Sequence, residues 1–124
     1  LPDHGDVRED LLDLLRLMAA FLNSPAGCAL ESLIADIEPD GRFARLLYQR
    51  VKEPRKRMFL ALLRRAADRG QVRPEAVTQL VADVGPALLM QRFSAEGPPV
   101  PDAYVVSVVD DIVLPLLRAP VVAR

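Results

Sequence analysis

The sequence predicts an all-α domain of about five helices. Apolar residues recur at three- and four-residue intervals along most of the chain, and the stretches that carry them open on capping residues and close at Gly or Pro. The one β-branched run, YVVSVV, has no second strand to pair with. At 124 residues the chain reads as a single domain, able to bury about two-thirds of its unfolded surface. Half of it is hydrophobic and a quarter charged, the balance of a soluble globular protein.

Asp6 opens the first helix, its carboxylate placed to accept orphan N–H groups and Glu9 placed to reciprocate. Val7, Leu11, Leu14, Leu15, Met18 and Leu22 keep a helical period to about Leu22. Leu12, Leu17 and Phe21 widen the face until the helix is expected to be largely buried. Ser24 and Pro25 pair as N-cap and first-turn proline for a second helix through Leu30, Leu33, Ile34 and Ile37, which Pro39 ends.

Asp40 is placed to cap a third and longest helix, between Gly41 and Gly70, with Phe43, Leu46, Leu47, Val51, Met58 and Leu62 as its stripe. Pro54 stands in the middle of it. It has no N–H for the carbonyl of Arg50, and its ring crowds that turn at a cost of ~3 kcal/mol or more. The stripe stays in phase on both sides, so the helix is expected to bend there without stopping. The bend either wraps the helix around a core or opens space for a ligand. Arg64, Arg65 and Arg69 lie near the negative end of the helix dipole, and Gly70 can take the left-handed conformation that closes it.

A fourth helix is expected from Pro74 or Glu75 to Phe93 through Val77, Leu80, Val81, Val84, Leu88 and Leu89, broken in its middle by Gly85 and Pro86. EGPPVP then forces an extended loop. In the last segment Val105, Val108, Val109, Ile112 and Leu116 keep a helical spacing that overrides the strand propensity of YVVSVV, and Pro115 is expected to kink or end that helix.

The formal net charge is −1, but eleven of the sixteen Lys and Arg fall between Arg42 and Arg73, opposed there only by Glu53 and Asp68. Such a helix can be an electrostatic footprint for nucleic acid. Its cations follow a polar face and no aromatic residues interleave them for base stacking, so it reads as a solvated face. No apolar run reaches the ~20 residues of a membrane span, and no signal peptide opens the chain. A cytoplasmic protein is expected, with no membrane partner. The lone Cys28 allows no internal disulfide, and the absence of an initiator Met at Leu1 reads as part of a longer chain.

Chemistry-bearing residues are sparse. His4 is the only histidine and lies far from Cys28, so neither a nucleophilic couple nor a metal-chelating spacing is formed. There is no Gly-rich phosphate loop, and no cofactor is expected. Asp110 and Asp111 diverge by ~100° on a helix and read as a solvent-facing edge rather than an acid–base pair. The chain is expected not to be an enzyme.

Four segments in order, LPDHGDVREDLLDLLRLMAAFL, SPAGCALESLIADI, RLLYQRVKEPRKRMFLALLRRAADRGQVRP and LVADVGPALLMQRF, together resemble the C-terminal domain of TetR-family transcriptional regulators. The resemblance extends over nearly the whole chain. It implies a domain that senses a small molecule and forms a homodimer, while operator DNA is bound through an N-terminal helix-turn-helix domain that this chain does not contain. The ligand would lie among the first three helices and the start of the fourth, with Met18, Leu22, Ile34, Leu47, Tyr48, Val51, Met58, Phe59, Leu62 and Leu88 as candidates. With no buried charge identified in the sequence, an apolar or aromatic effector is expected. The last two helices would meet their copies in a four-helix bundle through Val77, Leu80, Val84, Leu88, Tyr104, Val105, Val108, Val109, Ile112 and Leu116. Pro115 lies where the family usually continues its closing helix. The alternative is a helical scaffold or adaptor that offers its basic helix to an acidic partner.

Overall fold

Asp6 begins the first helix as the sequence predicts, its carboxylate accepting from the Arg8 N–H at 3.4 Å. Glu9 does not reciprocate; it accepts from the Arg8 guanidinium at 3.1 Å. The computed structural model describes residues 3–35 and 41–118, and every long regular element in them is helical. They are α1, Val7–Asn23; α2, Pro25–Ala35; α3, residues 42–68; α4, Gln79–Glu96; and α5, residues 102–118. The Ser24 hydroxyl accepts from the Gly27 N–H at 3.0 Å, which makes Ser24 the cap of α2. Pro39 and Asp40, the expected end of α2 and cap of α3, lie outside the described residues. Gly41 occupies the N-cap position of α3.

α3 is continuous in three pieces: Arg42–Leu47, a π-helical turn at Tyr48–Lys52, and Glu53–Asp68. In the π-turn the Glu53 N–H reaches back five residues to the Tyr48 carbonyl. The same device recurs in α5, where Asp102–Ser107 passes through a π-turn at Val108–Val113 into Leu114–Arg118, and the Leu114 N–H bonds to the Val109 carbonyl. Each π-turn stops two residues before a proline, Pro54 or Pro115. An extra residue per turn widens the coil where the proline ring would crowd the preceding carbonyl, so the helix passes the proline without ending. Pro115 therefore does not terminate α5 within the described residues.

α4 differs from the expectation at both its start and its middle. Pro74 begins only a short 3₁₀ turn, Pro74–Ala76, and Thr78 is the N-cap, accepting from the Val81 N–H at 3.2 Å. Gly85 and Pro86 do not break the helix, which is α-helical throughout. Gly85 is instead a point of close approach. A Cβ there would stand 3.2 Å from both methyl groups of Leu15, so its absence lets α1 and α4 pack closely.

α1 is the central element and packs on the four other helices. Leu11, Leu12, Leu15 and Leu22 from α1 meet Phe59, Leu62 and Leu63 from α3, Leu89 from α4 and Val105, Val109 and Leu117 from α5 in one core. Ion pairs fix the same helix from outside. Arg8 grips Asp110 with two bonds of 2.7 and 3.1 Å, and Arg16 grips Asp102 with the same pair of distances. Asp110 is thus half of a bidentate tie between α1 and α5, not part of an idle solvent edge. The end of α3 is also tied to the start of α1: Gln71 accepts from the Val7 N–H and donates to the Gly5 carbonyl, and Arg69 is bidentate on Asp3.

Among the described residues one charge is buried after all. Asp10 is 3% exposed, accepting from the His4 N–H at 2.8 Å and from Arg65 at 3.1 Å. Among the described residues no single helix is long and apolar enough to cross a membrane.

Candidate functional site

α1 carries two apolar stripes. One, through Leu11, Leu15 and Leu22, is buried in the core; the other, through Leu14, Leu17, Met18 and Phe21, turns toward α3, with Leu14 and Met18 buried at its base and Leu17 and Phe21 exposed. Opposite it, the π-turn contributes Val51, and the α-helical part of α3 that follows contributes Pro54, Arg55, Met58 and Phe59. Between the two walls is a cleft of about 320 Å³, within the range of small-molecule pockets. Leu17, Phe21 and Val51 remain exposed at this cleft, so α1 is not buried to the extent its composition predicts. The irregular turn borders the open space at Val51.

A second cleft of about 230 Å³ lies across α3, against Ala82, Asp83, Pro86 and Met90 of α4. It is more polar. Lys56 sits 5.7 Å from the Tyr48 ring centre, 3.4 Å from the Tyr48 hydroxyl and 3.4 Å from Asp83. The hydrogen bond to Tyr48, with the charge of Asp83 behind it, raises the Lys56 pKa above its ordinary value. Arg55 and Phe59 belong to both clefts.

The structure brings Met18, Val51, Met58 and Phe59 together at the first cleft and places Tyr48 at the second. Leu22 and Leu62 are in the core, and Leu88 packs against it while its carbonyl accepts from the Tyr104 hydroxyl at 3.2 Å. Ile34 and Leu47 line neither cleft. Pro54, whose bend was expected either to wrap a core or to open space for a ligand, lies in the wall of the first cleft, and Leu14, Leu17, Phe21 and Arg55 join it without having been named as ligand candidates from the sequence. A signal for them exists: residues 14, 17, 18 and 21 are a helical stripe of their own, and Arg55 falls four residues after Val51 and three before Met58, in phase with the apolar stripe.

The bundle-face candidates divide by depth. Val105, Val108 and Val109 are buried within this chain against α1, so they are not available to a second copy. Leu80, Ile112 and Leu116 are exposed, with Val77, Val84 and Tyr104 half-buried. Arg73, just ahead of α4, donates to the carbonyls of Leu116 and Leu117, which sets the start of α4 beside the end of α5 and puts the three exposed residues at one end of the pair.

Over residues 1–112 the chain matches the family described as Tetracyclin repressor-like, C-terminal domain. It is 29% identical over 116 residues to a DNA-binding transcriptional repressor TetR of Mycobacteroides abscessus, covering 94% of this chain and 60% of that protein. It is also 26% identical over 116 residues to uncharacterized HTH-type transcriptional regulators of Mycobacterium bovis and Mycobacterium tuberculosis, covering 94% of this chain and 57% of each. The chain thus spans under two-thirds of the length of the relatives it matches. No solved structure matches it. An all-helical domain with this order of caps, prolines and helices, matched over nearly its whole length, belongs to the TetR family of transcriptional regulators as its C-terminal domain.

Proposed function

We propose that this domain senses a small, largely apolar or aromatic effector in the cleft between α1 and α3 and passes the binding event to a homodimer, in the cytoplasm. The observation that carries the reading is an apolar cleft that borders the π-turn at Val51 and the proline that follows it. A turn held between π and α hydrogen-bond registers can change register at modest cost, and a molecule seated against Val51 and Met58 favours one of them. The rest of α3 and its ties to α1 then move with it. The dimer face would be the exposed stripe Leu80, Ile112 and Leu116 with the half-buried residues around it, a self-complementary patch. Operator DNA would be bound by a helix-turn-helix domain in the whole protein, a reading supported by similarity to a DNA-binding transcriptional repressor and to HTH-type transcriptional regulators.

The test is a thermal-shift panel of hydrophobic and aromatic compounds on the chain and on a Met58→Trp variant that fills the cleft. A ligand at a hundredfold over its Kd adds ~2.7 kcal/mol, about 10 °C for a domain of this size. The expected result is at least one stabiliser for the native chain and none for Met58→Trp. Stabilisers that act equally on both would place the site elsewhere.

A further inference from the structure

The apolar stripe of α3 has one charge planted in it. Arg55 lies on the same face as Val51 and Met58, forms part of the wall of the apolar cleft, and is half-buried. Among the described residues it makes no hydrogen bond or ion pair, in contrast to Arg8, Arg16, Arg57, Arg65, Arg69 and Arg92, each of which grips a carboxylate. Burial lowers its pKa from the ordinary arginine value, and the charge of Glu31 acts in the opposite direction without a direct contact. A guanidinium stays protonated in a protein, so it cannot relieve that burial by losing its charge. Its five donors form a planar fork that fits a carboxylate with two parallel bonds.

We propose that the effector is an amphipathic carboxylate, its hydrocarbon body lying on Leu14, Met18, Phe21 and Met58 and its carboxylate bound by Arg55. This rests on the α1/α3 cleft being the effector site. An anionic head gives up water to meet a charge that is already partly desolvated, and the apolar walls accept a body that water rejects. A neutral molecule of the same shape would fill the walls and leave Arg55 as it stands. A cation would be repelled.

The experiment compares decanoate, decanol and decylamine, below their aggregation concentrations, by calorimetric titration of the chain and of Arg55→Met, Glu31→Gln and Met58→Trp. Arg55→Met keeps the length and apolar volume of the stem while removing the charge. Decanoate is expected to bind at least tenfold more tightly than decanol, a difference of about 1.4 kcal/mol, and decylamine more weakly than either. Arg55→Met should erase the preference by weakening decanoate alone, whereas Glu31→Gln should preserve or increase it. Equal binding of decanoate and decanol to the native chain, both lost in Met58→Trp, would overturn the anion assignment and keep the cleft. A carboxylate preference that survives Arg55→Met would overturn it as well. Binding of all three unaffected by Met58→Trp, or no binding at all, would sink the assignment together with the cleft.

Discussion

Replacing Asp10 by Ala tests whether the junction of α1 with the end of α3 is held by its one buried charge. The Asp10 side chain is 4% exposed and accepts from both the His4 N–H and the Arg65 guanidinium. Breaking a buried ion pair costs about 3–5 kcal/mol when the surviving charge is left stranded. Arg65 is not stranded: its side chain is 24% exposed and Asp3 lies 4.0 Å away. What goes is one charge-assisted bond, about 1.5–3 kcal/mol, and one bond from a backbone donor, about 1 kcal/mol. The sum is about 3 kcal/mol, or roughly 10–15 °C in Tm for a domain between the small and medium size classes. Asp10→Asn keeps an acceptor for the His4 N–H and should fall about half as far. Thermal unfolding by circular dichroism at neutral pH and fixed protein concentration measures both, because a self-associating chain has a concentration-dependent Tm. Asp13→Asn is the reference, since Asp13 pairs with the His4 ring at the surface and its loss should scarcely register. If Asp10→Ala shifts Tm no more than Asp13→Asn does, burial has not strengthened the Asp10 contacts and the reasoning fails.

Gly85→Ala should lower Tm despite the ~1 kcal/mol gain in helix propensity, because the new Cβ meets fully buried Leu15 at 3.2 Å; Leu15→Val in the same chain should recover part of the loss, and a strictly additive double mutant would contradict the contact. Leu80→Asp and Ile112→Asp should leave the helical spectrum intact and give monomer in sedimentation, whereas Val109→Asp should unfold the chain at a cost of several kcal/mol; a native chain that is monomeric at high concentration would remove the dimer proposal. Pro54→Ala supplies the missing donor for the Arg50 carbonyl and lets the Tyr48–Lys52 turn relax toward α, so the empty chain should melt higher and any cleft ligand bind more weakly; unchanged affinity would make the π-turn a purely structural device. Stability should also peak in mildly acidic solution. His4 has its pKa raised by the hydrogen bond and charge of Asp13, so its contribution is complete below the ordinary value of 6.5 and is lost as pH rises through the higher folded value. Asp3, Asp102 and Asp110 have theirs lowered by Arg69, Arg16 and Arg8, so their contribution is present above 3.8 and is lost as pH falls through the lower folded values. His4→Gln should flatten the alkaline side of the profile alone, and a loss on the acid side instead would contradict the assignment.

The all-helical class, the caps at Asp6, Ser24 and Gly70 and the helical state of YVVSVV were legible in the residues, because each rests on interactions within one or two turns of chain, and the family was legible in the order of four segments along it. A capping oxygen and its N–H are two or three residues apart whatever the rest of the molecule does. Thr78 was the cap that escaped, since Pro74 gives the same first-turn signal yet sustains only a 3₁₀ turn. The prolines were visible, but what each does was not. Pro54 and Pro115 are absorbed by π-turns and Pro86 by an unbroken α-helix, so the same residue has different outcomes at different places in the fold. The same limit applies to the site. An α1 apolar over most of its circumference does not say which stripe meets the core and which is left facing a cleft, and an arginine within an apolar stripe does not say whether a carboxylate waits across from it. Asp10 and Asp110 acquired partners through helices more than fifty positions away, and Arg55 did not, because side-chain solvation is settled by neighbours in space.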